Sequence, residues 1–166
     1  MPVAFGRRVL LPVLMDIARP HPDIHFTLTF TDATSDLLRD DVDLAIRFGG
    51  VGDSSHLVAR RLVVQQRIIC ASPGYLREHG TPKTLTDVSS HRCVVGTPNG
   101  PPLVWFVREG HAETKLTPPA THQLSDGEAM VDAAVAGLGL VQLPLSLVRE
   151  KLQSGLLEEV LPECAG

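Results

Sequence analysis

The stretch Ser125-Asp126-Gly127-Glu128-Ala129-Met130-Val131-Asp132-Ala133-Ala134-Val135-Ala136-Gly137-Leu138-Gly139-Leu140-Val141-Gln142-Leu143 holds a helix, its two ends and the strand that follows. Ser125 and Glu128 stand at the spacing of a capping box, in which a hydroxyl and a carboxylate satisfy amides at a helix start. The helix expected from there carries Met130, Ala133 and Ala134 inward and stops at Gly137, because glycine tolerates the left-handed turn that ends helices. Leu138 to Leu143 then reads as a strand. Pro144 opens a further helix that Gly155 ends, and Leu156 to Leu161 makes a last strand.

The same alternation extends toward the amino terminus. Leu10, Val13, Leu14 and Ile17 recur at helical spacing, so a helix lying on a core is expected there. Ile24, Phe26, Leu28 and Phe30 alternate with His25, Thr27, Thr29 and Thr31, the period of a strand with one apolar face. A short helix over Ser35 to Arg39 leads into Val42-Asp43-Leu44-Ala45-Ile46, which reads as a buried strand. Arg61 to Cys70 is a long strand candidate, and a crossover between two lobes is expected near Ile68 to Ala71. Pro73 to His79, with Gly80 behind it, reads as a helix. Cys93-Val94-Val95, Val104 to Val107 and Thr114 to Leu116 read as short strands. Helices and strands in this order predict an α/β fold with largely parallel sheets.

Composition narrows the function. The chain of 166 residues is 43% hydrophobic and 20% charged, ordinary for a globular protein, and its formal charge of -4 is the wrong sign for a surface that attracts phosphates. Three cysteines, Cys70, Cys93 and Cys164, lie in no paired or metal-type spacing, which suits a reducing cytoplasm. Arg7-Arg8 and the apolar residues after it imitate a secretory signal, but Asp16 cuts the run short and no cleavage site follows. Catalytic and metal motifs are wanting: there is no G-x-S-x-G elbow, H-E-x-x-H, C-x-x-C or G-x-G-x-x-G array. Ser89-Ser90-His91, and His122 with Ser125, are serine–histidine neighbours without a third orienting group. No enzyme, cofactor or metal is expected.

Several strings together resemble the effector-binding region of LysR-type transcriptional regulators over nearly the whole chain. They are Phe5-Gly6-Arg7-Arg8 with Leu11-Pro12; Pro20-His21-Pro22; Val42 to Gly49; Asp53-Ser54-Ser55 through Leu62; Cys70 to Leu76 with His79 to Pro82; Ser90 to Cys93; Trp105-Phe106; and Ala136 to Leu140 with Leu143-Pro144. The resemblance implies a two-lobed fold like that of type II periplasmic binding proteins, with residues 1–69 as first lobe and 70–166 as second. The family's winged helix-turn-helix, its connecting helix and the strand before the first helix have no counterpart from Met1 onward. The return segment of the first lobe is expected to be missing beyond Gly166, so that lobe is expected to be incomplete.

What the resemblance implies about function is a cleft for a small organic effector, in an intact protein that reads DNA through the missing domain. The expected contacts are Arg47 and Phe48, Thr31 and Thr34, Thr97 and Asn99, and Ser125, Asp126 and Gly127. Arg47 reads equally as a structural salt-bridge partner of Asp43 or Asp32. Thr97 and Asn99 read as turn residues, and Thr31, Asp32, Thr34 and Ser125 as helix caps. Helix amino-termini and the Arg47 fork favour an anionic effector, and since Asp32 and Asp126 would repel it, at least one of them must cap a helix or neutralise Arg47. Self-association through the first lobe is expected, and no membrane contact. The other function classes are a free-standing solute-binding protein and a small α/β hydrolase.

Overall fold

The computed structural model describes residues 1–32, 42–48, 58–96, 104–110 and 112–166. Their contacts divide the chain into Met1–Val64 and Gln65–Gly166. Among the described residues no helix is long and apolar enough to cross a membrane.

In the first unit, α1 (Val3–Phe5) passes through a π-helical stretch (Gly6–Leu10) into α2 (Leu11–Ala18). The widening falls just before Pro12, whose ring has no N–H for the ladder and crowds the carbonyl four residues back. The expected helix is present, but its stripe is only partly covered. Leu10 and Leu14 are half-buried, whereas Val13 is 52% and Ile17 43% exposed.

Two strand expectations in this unit fail. Residues 24–30 form no strand, although their alternation is sound. A strand is a paired object, and the long-range backbone bonds here go to the first residue, from the terminal ammonium to the Thr29 carbonyl (2.9 Å) and from the Thr31 amide to the Met1 carbonyl (2.8 Å), while the Ile24 amide closes a local turn on His21 (3.0 Å). Val42 to Ile46 is likewise irregular, with Leu44 80% exposed, so it is not a buried strand. The helix expected over Ser35 to Arg39 lies outside the described residues.

The second unit carries a five-stranded sheet in the order β5-β2-β6-β1-β7. Its strands are β1 (Arg67–Ala71), β2 (Cys93–Gly96), β5 (His122–Leu124), β6 (Leu140–Pro144) and β7 (Glu158–Val160); β3 (Trp105–Glu109) and β4 (Ala112–Leu116) form a separate hairpin. The strand expected from Arg61 shrinks to β1, because residues 58–64 are exposed and irregular. β5 was not anticipated, being only three residues long. The sheet is mixed rather than largely parallel: β2 runs parallel to β5 and β6, but β1 is antiparallel to both neighbours. The crossover rule governs consecutive strands such as β6 and β7, joined through α5 (Leu145–Gln153). β1 enters from far upstream and fills the gap between them, so the rule leaves its direction open.

Both faces of this sheet are covered, which explains its continuous apolar runs. Ile69, Ala71, Cys93 and Val95 point into one core with Tyr75 and Leu76 of α3 (Pro73–His79). Ile68, Cys70, Val94 and Val141 point into the other, with Met130, Ala133 and Ala134 of α4 (Gly127–Val135). Gly137 (φ 82°) ends α4 as expected.

Candidate functional site

Parallel pairing brings the ends of β2 and β5 side by side. Gly96 at the end of β2 registers with Leu124 at the end of β5, so the segment starting at residue 97 and the turn Ser125–Gly127 leave adjacent strands at their carboxyl ends. Ligands of α/β sheets are received at this end, where helix amino-termini also point. Thr97 and Asn99 themselves lie outside the described residues, as does Thr34.

The cap of α4 sits one residue later than expected. The Asp126 carboxylate, not the Ser125 hydroxyl, accepts the Ala129 amide at 2.8 Å, and Gly127 is the first helical residue. Asp126 takes the cap because its own backbone is extended (φ -115°, ψ 130°) at the last position before the helix. Ser125 is exposed.

In the first unit, Asp32 does similar work at the start of α1. Its carboxylate accepts the Val3 amide at 3.0 Å, which caps α1. Both acidic residues that threatened to repel an anion are therefore engaged with helix amides. Arg47 is exposed and ends no strand, and Phe48 packs edge-on against Phe5 with ring centroids 5.5 Å apart. Thr31 is half-buried, its amide held by Met1.

Burial pushes the Cys70 and Cys93 thiols up to about 12, and Cys164 is raised by burial and by Glu163 and Glu109, so none of the three is disposed to ionise. Among the described residues, no group of three or more histidines, cysteines and carboxylates is placed to hold a metal ion. The serine–histidine neighbours make other bonds: Ser89 donates to the Thr86 carbonyl (2.8 Å), the His91 ring meets the Tyr75 hydroxyl (3.1 Å), and His122 Nε2 meets the Arg92 guanidinium (3.2 Å). A surface groove of about 520 Å3, lined by Thr84 to Thr86, Arg108 to Gly110 and Glu163 with Cys164, includes none of the expected contacts.

Sequence reading missed three polar features here. Thr84 and Asp87 form a true capping box on the 3-10 helix Leu85–Ser90, a signal that was legible in their spacing. The buried Gln142 side chain clasps the backbone of Phe106, accepting its amide at 3.0 Å and donating to its carbonyl at 2.6 Å. Tyr75 joins His91 and Arg92 across sixteen and seventeen residues, which no local pattern announces.

Comparison with known proteins gives a consistent picture. The family model described as LysR substrate binding domain matches residues 1–165. The HTH-type transcriptional regulator DmlR of Escherichia coli strain K12 is 36% identical over 162 residues, 96% of this chain and 52% of that protein. CrgA, a LysR-type transcriptional regulator from Neisseria meningitidis, superposes with a TM-score of 0.86 at 27% identity, over 99% of this chain and 55% of that one. The CrgA regulatory domain alone gives 0.84 at 28% identity, over 99% of this chain and 80% of that one. The chain thus spans about half the length of the curated relatives it matches, as its 52% share of DmlR illustrates.

Proposed function

Because the chain belongs to the LysR substrate binding domain family, we propose that it is the effector-sensing region of a LysR-type transcriptional regulator. In the intact protein, binding of a small molecule here biases the arrangement of DNA-binding domains and so controls transcription. The region acts by binding rather than catalysis, works in the cytoplasm and touches DNA only through a separate domain. It comprises two lobes, residues 1–69 and 70–166.

The effector is a small organic anion. Its contacts are Arg47, Phe48, Thr31 and Thr34 from the first lobe and Thr97, Asn99, Ser125, Asp126 and Gly127 from the second. The observation that carries this reading is the register Gly96↔Leu124, which starts two of those segments side by side at the carboxyl end of the sheet. The start of α4 adds the partial positive charge of a helix amino-terminus. Asp126 and Asp32 already accept helix amides, which lessens their opposition to a carboxylate. Arg47 adds a planar fork suited to bidentate binding.

Self-association completes the reading. Val13 and Ile17, four residues apart on one face of a short helix, are 52% and 43% exposed, an apolar surface suited to a second copy of the chain. The test of the function is titration calorimetry with aromatic and aliphatic carboxylates and their neutral amides, repeated on Arg47→Ala. Acids are expected to bind better than amides, and Arg47→Ala to weaken the best acid by about tenfold or more, roughly 1.4 kcal/mol. Stronger binding of the amides, or a smaller loss on removing Arg47, contradicts it.

A further inference from the structure

At the other end of the second unit's sheet, where β2 and β5 begin, His91 and His122 each hold a polar contact in which a neutral imidazole can accept. Tyr75 of α3 is 3% exposed, with its hydroxyl 2.9 Å from the Arg92 amide, 3.1 Å from His91 Nδ1 and 3.4 Å from the Arg92 carbonyl. The amide must donate, so the phenol oxygen accepts it and has one proton to give. The Arg92 carbonyl already accepts the Leu140 amide at 2.9 Å and lies farther away, so His91 Nδ1 is the nearer acceptor for that proton, in the tautomer that leaves this nitrogen a lone pair. Arg92 repeats the demand on its other side. Its guanidinium has only donors and meets His122 Nε2 at 3.2 Å, so that nitrogen too must accept.

We propose that the Tyr75–His91 and Arg92–His122 contacts form a proton-operated latch at the amino-terminal end of β2 and β5. It is closed when both imidazoles are neutral and loosened when they gain protons. Protonated His91 turns Nδ1 from acceptor into donor, so the phenol must give its own proton over the longer path to the Arg92 carbonyl, 3.4 Å against 3.1 Å. Protonated His122 sets a second cation against the Arg92 guanidinium. The first contact ties α3 to β2, and the second ties β2 to the edge strand β5.

The surrounding groups favour the closed form near neutrality. His79 lies against the Tyr75 ring (centroids 4.5 Å apart) and adds repulsion once charged, with Glu78 Oε1 4.0 Å from its Nε2. Asp87 on the 3-10 helix opposes this by favouring a charged His91. Burial first and His79 second nonetheless hold His91 below its ordinary range, while burial raises the Tyr75 phenol and keeps it protonated. Because the folded value of His91 is depressed, its stabilising contribution is present above about pH 6.5 and is lost as pH falls through the folded value. The strands so held are those whose far ends carry the segments at 97 and 125.

Hydrogen exchange on the ligand-free chain tests the latch, so its failure leaves the effector reading untouched. Protection of the Arg92 amide and of β5 is expected to fall about tenfold between about pH 7.5 and about pH 5.5, after correction for intrinsic exchange. A His91→Gln/His122→Gln double variant keeps an acceptor at each position without a titrating ring. It should hold neutral-pH protection within about twofold and lose the pH dependence. Unchanging protection in the unaltered chain, or the same fall in the double variant, overturns the proposal. A separate readout covers a double variant that does not fold: Tyr75→Phe removes the proton given to His91, so the imidazole midpoint seen by NMR should rise by a factor of about three in protonation constant. A midpoint that stays put overturns it as well.

Discussion

At Gly139 the chain comes so close to its neighbour that one added carbon decides the outcome. A Cβ there would stand 2.2 Å from the Arg92 carbonyl oxygen, which accepts the Leu140 amide, and φ is 153°. Gly139→Ala is therefore expected to cost about 3 kcal/mol in urea denaturation, by strain or by loss of that bond. Gly110→Ala is the control, because φ is 62° but nothing lies within 4 Å, and the backbone penalty alone is about 1 kcal/mol. Gln142 makes a complementary case. Gln142→Leu leaves the Phe106 amide and carbonyl without their clasp and should cost about 2 kcal/mol in the same assay, whereas Gln142→Glu keeps only the accepting half. Neither role was visible in the sequence, where both residues fall in the stretch Leu138 to Leu143 that reads simply as a strand. Both depend on a partner many positions away. Asp126 was nearly legible, since its spacing to Ala129 is as good as that of Ser125 to Glu128, and choosing between the two takes the backbone angles of the turn.

Elements were readable where local pattern and tertiary packing agree. α3, α4, α5 and the strands β1, β2, β3, β4, β6 and β7 lie within or against the expected segments, because each pattern in the second unit has a core to face. The alternation of 24–30 and the apolar run at 42–46 are equally clear patterns, yet they yield no strand, since period alone supplies no hydrogen-bond partner. The direction of β1 was also beyond local reading, because it depends on strands that arrive some seventy residues later. The 3-10 helix Leu85–Ser90 offers an element-scale test. Asp87 accepts the Lys83 and Thr84 amides at 2.9 and 2.8 Å, and these bonds hold its carboxyl below the usual value of 3.8. The folded value lies below the unfolded one, so this stabilisation is present above about pH 4 and is lost as pH falls through the folded value. Acid unfolding of Asp87→Asn, followed by circular dichroism, should show less dependence on pH in that window than the unaltered chain. Equal dependence would assign the effect to other carboxylates.

For the whole molecule, family membership settles what kind of region this is, and the residues settle less about what it binds. The strings that carried the resemblance lie in both halves, but several of the expected contacts, Thr34, Thr97 and Asn99, sit outside the described residues. Arg47 proves exposed where a strand end was expected, and Asp32 and Asp126 prove to be caps. If the exposed face of α2 receives a second copy, light scattering at micromolar concentration should report a dimer or larger species, and Val13→Glu with Ile17→Glu should return it to monomer. A monomer before substitution would remove that part of the reading.

The most direct test of where the effector sits is chemical-shift mapping of the second unit and of Arg47 with the tightest-binding acid. The account predicts the largest shifts in residues 97–100, at Ser125 to Gly127 and at Arg47 and Phe48, with the Tyr75–His91 end of the sheet quiet at constant pH. Shifts confined to that opposite end, or to the groove at Thr84 to Thr86 and Arg108 to Gly110, would contradict it.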